Sequence, residues 1–443
     1  MILLSGGGRR MLRKPSARRA LASYIDSQER VDIKVIMILF MLNVFGIIMI
    51  YSASSYNCSL SPKYNYDGMY FAKKQIFNVV LGFAVMLVIR LCNYNQLYIY
   101  RFSKSHLFKN IKALKNKKIS LSWLIYIMSI VMTLTLFSTL KVAAKGAVRW
   151  IKIGPLSLQV AEVSKILIIL WVAAMISKYI NHRNKIRVLL FIWIPSMLSV
   201  LFLFKVSSNL SSAIIIGGII FGMTFIMTPF WKIHIGVVAA GGVGVYYYIN
   251  HLRNLIKLNV NPKDYSFRTR RFLGWLAPLK YADDESYQSL QALYAVASGG
   301  FSGKGLGNSV QKLSKIPEAQ NDMIFAVICE ELGILGAGIL IMMFIYLIYQ
   351  LFKIAGRAET VFGRAMVAGI AIHIALQVVV NIFVVLMIIP NTGVSLPFIS
   401  YGGSAVVFTM AEMGLALAVD REHFKAKVKR KAKQIIEEKE LAE

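Results

Sequence analysis

Four carboxylates stand at and just inside the start of a long apolar run, in the stretch KIPEAQNDMIFAVICEELG at residues 315–333. They are Glu318, Asp322, Glu330 and Glu331, in a chain that has 21 acids among its 443 residues. Asp322 lies at the mouth of the apolar run, where partial loss of water makes a carboxylate more basic and suits it to general-base catalysis. The alternative for Asp322 is a helix N-cap that accepts backbone N–H groups.

Glu330 and Glu331 lie about two helical turns deeper in the same run. A charge at that depth costs at least about 2.5 kcal/mol, so such residues usually face a bundle interior or a water-filled cavity. We therefore expect at least one of them to line a cavity. A buried pair that is satisfied by Lys or Arg from another span is the structural alternative.

Polar residues recur at helical spacing in two other apolar segments. Glu162 and Lys165 are three apart, so they share a helix face and can pair with each other or with the acids of 315–333. Gln377 and Asn381 are four apart, which suits hydrogen bonds between helices or to the sugar or amide of a substrate. Each pair therefore has both a packing and a substrate-binding interpretation.

Basic residues near the ends of apolar segments are candidates for binding a diphosphate. Arg matches phosphate oxygens in bidentate geometry, although snorkelling to lipid headgroups explains any single one of these residues. The candidates are Lys74, Lys145, Arg149, Arg268 and Arg271. Together with an acid at the same level, they favour glycosyl transfer from a lipid diphosphate.

The elements that must position these residues are transmembrane helices. With 57% hydrophobic residues and a mean hydropathy of +0.59, the chain has the composition of an all-α polytopic membrane protein. The apolar runs predict ten spans with one large loop between the seventh and the eighth. The predicted spans are 34–52, 75–94, 120–140, 160–180, 186–204, 209–228, 231–250, 323–352, 363–389 and 402–420.

The chain divides into a basic tail at 1–33, a membrane domain at 34–420 and a charged tail at 421–443, and the large loop is 250–322. Lys and Arg concentrate in both tails and in alternate short loops, so both termini are expected in the cytoplasm and the large loop outside. The net charge of +30 does not indicate nucleic-acid binding, because most of it lies beside spans and near anionic lipid headgroups.

The large loop mixes aromatic residues, charges and glycines. Apolar spacing in SYQSLQALYAVAS, residues 286–298, predicts an amphipathic helix on the membrane interface. The glycine-rich run at 298–308 lacks the spacing of a nucleotide-binding loop. It is predicted to be either a flexible turn or a loop whose backbone N–H groups approach a substrate phosphate.

Five blocks of the sequence resemble the SEDS family (shape, elongation, division and sporulation), whose branches are FtsW, RodA and SpoVE. The resemblance covers about 34–420 and is closer to the division and sporulation branches, FtsW and SpoVE, than to the elongation branch. The blocks are KGAVRWIKIGPLSLQVAEVSK, FRTRRFLGWLAP, SYQSLQALYAVASGGFSGKGLGNSVQKL, IPEAQNDMIFAVICEELGILGAG and QVVVNIFVVLMIIPNTGVSLPFISYGGSA.

The resemblance implies a peptidoglycan glycosyltransferase that polymerises lipid II at the outer face of the bacterial cytoplasmic membrane and releases undecaprenyl diphosphate. It implies a class B penicillin-binding protein and other division or sporulation membrane proteins as partners. No cofactor is certain, and a divalent cation (Mg or Mn) is an optional expectation. The alternatives are a lipid II flippase, with Lys165, Glu330 and Glu331 along its route, and a non-catalytic scaffold for cell-wall synthases.

Carried over by position, the family's essential acid is Asp322. Val160 replaces a usual Pro, and Gln320, Asn321 and Met323 stand where His, Thr and Phe are expected, so the setting of Asp322 is expected to differ. The substrate-binding positions implied by the resemblance are Arg149, Trp150, Glu162, Lys165, Arg268, Arg271, Gln377, Asn381 and Ser400.

Overall fold

The computed structural model describes residues 31–97, 99–101, 118–120, 122–137, 141–144, 147–153, 156–207, 209–258, 260–283, 286–313 and 316–440. Within these ranges the α-helices are α1 (Val31–Ser59), α2 (Tyr70–Leu91), α3 (Ser122–Leu134), α4 (Val160–Lys178), α5 (Ile186–Ser207), α6 (Leu210–Met227), α7 (Trp231–Lys257), α8 (Phe267–Leu276), α9 (Tyr287–Gly299), α10 (Ile324–Arg357), α11 (Val361–Val385) and α12 (Gly403–Glu440). Of the predicted tail at 1–33, only the last three residues fall in the described part.

Over the described residues, nine helices are long and apolar enough to cross a membrane, and they coincide with nine of the ten predicted spans. The polytopic α-helical prediction is therefore confirmed. The third predicted span, 120–140, is instead α3 followed by a 3-10 turn at Thr135–Phe137, which together are shorter than the other nine. The tenth span continues without a break into the charged tail, as far as Glu440.

Short strands interrupt the helical pattern between α2 and α4. The antiparallel pairs are β1 (Ile99–Arg101) with β2 (Lys118–Ser120), and β3 (Lys141–Ala144) with β4 (Ala147–Ile153) and β5 (Leu156–Gln159). These strands were not predicted, although the β-branched and aromatic residues of VRWIKI are typical of a strand. The three-stranded sheet leads directly into α4.

The centre of the bundle is α4, which is buried along nearly its whole length from Val160 to Ile176. It packs against α3, α6 and α11, as expected for a helix that is apolar on all sides. Around it, α10 packs on α11 and α1, and α12 packs on α2. The connections from α7 to α10 and from α11 to α12 meet at one end of the bundle, which we call the loop end.

Candidate functional site

Asp322 lies at the loop end, in the turn before α10, and is half-buried. Its backbone carbonyl accepts a hydrogen bond from Asn381 Nδ2 at 2.8 Å. The carbonyl of Gln320 accepts the N–H of Tyr401 at 2.9 Å. A Cβ atom at Gly393 would lie 3.7 Å from Asp322 Oδ2, so the carboxylate faces the α11–α12 connection.

That connection, residues 386–402, is termed the site loop, and buried polar side chains support its backbone. Gln377 Nε2 donates to Ser395 O at 3.0 Å, and Asn381 Nδ2 donates to Val394 O at 2.7 Å. Ser400 Oγ closes the loop on itself by accepting the N–H of Leu396 at 2.7 Å. The amides of Gln377 and Asn381 therefore hold the loop next to Asp322, a structural role that neither sequence interpretation had included.

Glu162 and Lys165 form a buried ion pair just inside the loop end, with 2.8 Å between Lys165 Nζ and Glu162 Oε2. Lys165 Nζ also donates to Gln377 Oε1 at 3.3 Å. The pair is therefore coupled through one glutamine to the backbone of the site loop. Its partner in the described structure is this glutamine, rather than the acids of 315–333.

The predicted basic residues occupy different positions around the loop end. Arg271 Nη1 donates to Asn391 O of the site loop at 3.0 Å, and the Arg268 guanidinium lies 4.3 Å from the centre of the Phe204 ring. Lys74 is exposed and lies over the Tyr70 ring at 4.0 Å. The backbone of Arg149 is in β4, but its side chain, like the whole of Lys145, lies outside the described residues.

Trp150 follows Arg149 in β4 and is half-buried. Its backbone pairs with Gln159, whose N–H donates to Ser404 Oγ at 3.2 Å. The sheet is thereby tied to the first turn of α12, directly after the site loop.

Glu330 and Glu331 are fully buried, and each meets a lysine from the glycine-rich run or just after it. Glu330 accepts from Lys304 Nζ at 2.7 Å, and from the N–H groups of Val310 at 3.1 Å and Gln311 at 3.2 Å. Glu331 accepts from Lys312 Nζ at 2.6 Å, and from Ser52 Oγ on α1 at 2.7 Å. Both carboxylates are thus fully engaged in holding the fold.

The glycine-rich run is inserted into a break in α10. Gly333 has a φ of +65°, a left-handed conformation that favours glycine, and it opens the helix there. The N–H groups of Lys304 and Gly305 donate to the carbonyls of Glu330 and Glu331, each at 2.9 Å. In return, the N–H groups of Ile334 and Leu335 donate to the carbonyls of Gly300 and Phe301, at 3.0 Å and 3.1 Å.

We call residues 299–312 the glycine plug, because their backbone replaces the helical hydrogen bonds lost at Gly333. Backbones approach so closely that a Cβ atom at Gly299 would lie 1.9 Å from Cys329 O, and one at Gly303 would lie 2.2 Å from Glu331 O. The N–H groups of Lys304 and Gly305 are therefore used within the protein and are not the ones that would approach a substrate phosphate, and the centre of the run is anchored on α10. For the rest of the run, both interpretations stay predictions.

The predicted amphipathic helix at 286–298 is present as α9, but it packs on α10 rather than on a lipid surface alone. Its buried face consists of Ser289, Leu290, Ala292, Ala295 and Gly299, whereas Tyr294 is exposed. Small residues on this face allow the close approach to α10 that the glycine plug requires.

The residues that depart from the family pattern beside Asp322 are buried or hydrogen-bonded. Gln320 and Met323 are buried, and Asn321 Nδ2 donates to Glu318 Oε2 at 2.9 Å. Val160 is fully buried at the start of α4. The effect of these residues on the basicity of Asp322 stays a prediction.

Sequence reasoning missed one buried ionisable pair, which joins α11 to α12. His373 Nδ1 lies 2.8 Å from Glu412 Oε2, and both side chains are almost completely buried. His373, Gln377 and Asn381 are four residues apart in turn, so they form one polar stripe on α11. This spacing was the available signal for His373.

The described residues contain no group of three or more His, Cys, Asp or Glu side chains placed to hold a metal ion. Mg²⁺ is commonly held by only one or two carboxylates together with substrate phosphates, and Asp322 supplies one carboxylate. A divalent cation therefore stays a prediction.

Comparison with known proteins gives consistent matches over nearly the whole chain. Residues 33–425 match the family model FTSW_RODA_SPOVE, described as cell cycle protein. A protein of Geobacter metallireducens named probable peptidoglycan glycosyltransferase FtsW is 31% identical over 394 residues, which are 88% of this chain and 95% of the relative. The Bacillus subtilis protein of the same name is 32% identical over 389 residues, covering 87% and 89%.

Solved structures show the same fold. A chain from a structure described as "Structural coordination of polymerization and crosslinking by a peptidoglycan synthase complex" matches with a TM-score of 0.65 and 22% identity, over 88% of this chain and 97% of that one. The rod shape determining protein RodA of Thermus thermophilus matches with a TM-score of 0.56 and 21% identity, over 88% and 96%.

Proposed function

Because this chain belongs to the FtsW/RodA/SpoVE family of cell cycle proteins, we propose that it is a peptidoglycan glycosyltransferase that polymerises lipid II in cell division or sporulation. The observation that carries the proposal is the meeting of Asp322, the site loop and their buried supports at one end of the bundle. The relatives that cover most of the chain carry the name of this activity.

In the proposed reaction, Asp322 accepts the proton of the 4-hydroxyl group of an acceptor lipid II. The acceptor oxygen bonds to the anomeric carbon of the growing strand as the bond from that carbon to the diphosphate breaks. Undecaprenyl diphosphate leaves with the bonding electron pair. The half-burial of Asp322 supports this role, since an unperturbed aspartate is a weak base.

Arg271 is the basic residue best placed to stabilise the departing diphosphate. One of its N–H groups donates to Asn391 O of the site loop, and the planar fork of a guanidinium matches phosphate oxygens in bidentate geometry. Arg268, one turn earlier in α8, shares this side of the site. We assign Glu162, Lys165, Gln377, Asn381 and Ser400 to positioning the site loop, on which the substrate sugars and diphosphate would lie.

The proposed setting is the bacterial cytoplasmic membrane, with both termini in the cytoplasm and the loop end facing outward. The distribution of Lys and Arg supports this orientation. The proposed substrate, lipid II, is then met on the outer surface. A class B penicillin-binding protein is the proposed partner, in keeping with the synthase complex whose chain shares this fold.

Flippase activity receives less support from the structure. Of the residues assigned to a translocation route, Glu330 and Glu331 are enclosed by the glycine plug and by α1, and Lys165 is paired with Glu162. A route along these side chains would require both buried ion pairs of the plug to break, which is costly.

The test is an assay of purified protein with fluorescent lipid II, with and without a class B partner, in proteoliposomes that also report headgroup translocation. We expect glycan strands. Translocation of labelled lipid II without polymer would replace the proposal by a flippase, and the absence of both would favour a scaffold.

A further inference from the structure

Four aromatic rings meet at the loop end, where the α1–α2 connection approaches the site loop. The centres of the Tyr64, Tyr70 and Phe71 rings are 5.0–5.2 Å apart, and the Phe71 and Tyr401 rings are 4.8 Å apart. We call these four residues the aromatic platform. All four are half-buried, so each leaves part of its surface available to a ligand.

The aromatic platform is joined to the turn that carries Asp322. The N–H of Tyr401 donates to the carbonyl of Gln320, two residues before Asp322. One turn after Phe71, the buried Gln75 donates to Ser400 O and accepts from the N–H of Gly402, each at 3.5 Å. The rings are therefore built onto the site loop.

Two lysines flank the aromatic platform and add positive charge to it. Lys74 Nζ lies 4.0 Å from the centre of the Tyr70 ring, and Lys63 Nζ lies 5.4 Å from that of Tyr64. Both are exposed, and neither forms an ion pair with another residue in the described part of the chain. Lys73, by contrast, forms an ion pair with Asp67, with 2.9 Å between Lys73 Nζ and Asp67 Oδ2.

The chemistry of this surface suits a sugar strand whose attached peptides carry carboxylates. The C–H face of a pyranose is apolar and packs against the negative face of an aromatic ring. The alternative is an interfacial belt, in which Tyr and Trp side chains lie at the level of the lipid headgroups because their rings are amphipathic. The platform differs from such a belt because its rings contact each other and the site loop.

We propose that the aromatic platform is a binding subsite for the sugar rings of the growing glycan strand, with Lys63 and Lys74 facing the carboxylates of the strand. This inference rests on the proposed function. The subsite would retain the strand between successive additions, so it determines how long a strand becomes before release rather than how fast one bond forms.

The experiment compares Tyr64→Leu/Tyr70→Leu with Tyr66→Leu, a matched control in the same connection that is 63% exposed. Two quantities are measured on the full-length protein: affinity for soluble, uncrosslinked glycan strands, and the length of polymer made from lipid II. We expect the double variant to bind glycan strands at least about fivefold more weakly, because two aromatic rings are removed. It should also make shorter strands, at an initial rate near that of the wild type. Tyr64→Phe should bind as the wild type does, because the ring remains and the hydrogen bond from Lys74 Nζ to Tyr70 OH is kept.

Wild-type affinity and strand length in the leucine double variant would overturn the proposal, and so would an equal loss in Tyr66→Leu. If the double variant has a lower thermal unfolding midpoint, Lys63→Gln/Lys74→Gln provides the second test: unchanged affinity for the strands would also overturn it. Glycan binding is measured without catalysis, so a wild type that binds strands but makes no polymer would reject the proposed function and leave the subsite standing.

Discussion

Asp322 and the pair Glu330 and Glu331 belong to one short stretch of chain, yet their surroundings differ. Both glutamates are fully buried, and each is held by a lysine and by further hydrogen-bond donors. Asp322 is half-buried, and its carboxylate faces an exposed glycine of the site loop. The two deeper acids therefore maintain the fold, whereas the outer acid is the one that we propose meets the substrate.

The largest expected effect on stability comes from Gly333→Ala. A Cβ atom there would lie 2.4 Å from Phe301 O, in a backbone conformation that Ala rarely adopts. We expect the free energy of unfolding, measured by denaturant titration in detergent, to fall by more than about 4 kcal/mol. Gly338→Ala, where a Cβ atom meets open space, is the control and should be neutral. Equal stability of the two variants would show that the glycine plug does not pack against Gly333.

Lys312→Met leaves Glu331 buried without its cation. Removing one partner of a buried pair should lower the free energy of unfolding by about 3–4 kcal/mol. Replacing both residues, in Lys312→Met/Glu331→Leu, should restore part of that loss, because the uncompensated charge is gone. Strictly additive losses in this double-mutant cycle would show that the two side chains do not interact.

Gln377→Leu should lower both the free energy of unfolding and the polymerisation rate. It removes the hydrogen bonds to Ser395 O and Lys165, at a cost of about 1–2 kcal/mol in unfolding free energy. Displacement of the site loop should lower the polymerisation rate at least about tenfold. Gln350→Leu, at another buried glutamine in α10, is the matched control and should retain the rate. A wild-type polymerisation rate in Gln377→Leu would show that the position of the site loop does not affect catalysis.

The smallest expected effect concerns Glu359, a partly exposed carboxylate between α10 and α11. Burial alone would raise its pKa, but hydrogen bonds from His423 and Arg430 outweigh burial and hold the pKa below its usual range. Its stabilisation should be complete above the unfolded value of about 4.3 and lost as the pH falls through the lower folded value.

Glu359→Gln should therefore cost less than about 1 kcal/mol at pH 7, because Arg430 is exposed and His423 is only partly buried. The variant should also flatten the decline of stability below about pH 4. A pH profile that matches the wild type would show that these hydrogen bonds do not form in solution.

Much of the architecture was predictable from apolar runs, because a spanning helix must satisfy its own backbone and bury few charges. Nine of the ten spans, the Glu162 and Lys165 pair and the position of Asp322 before α10 followed from local spacing. The strands between α2 and α4 were missed because segments of three to seven residues show too little periodicity to be told from the edges of apolar runs.

The glycine plug was missed for a different reason. Its hydrogen bonds join residues that are about 30 apart, such as Gly300 with Ile334, and depend on a break in α10 that no local pattern requires. The available signal was that two segments match each other in charge and in small residues. Lys304 and Lys312 lie in one segment and Glu330 and Glu331 in the other, and glycines are present in both, at 299, 303 and 333. Such pairing becomes visible only when two segments are considered together.

The central claim is that Asp322 performs the chemistry while its neighbours hold the fold. It is tested most directly by lipid II polymerisation with Asp322→Asn, beside Asp264→Asn as an exposed control in the α7–α8 connection. We predict that Asp322→Asn retains less than about 1% of the wild-type rate with a free energy of unfolding changed by less than about 0.5 kcal/mol, and that Asp264→Asn retains the full rate. Strand synthesis by Asp322→Asn at the wild-type rate would contradict the claim.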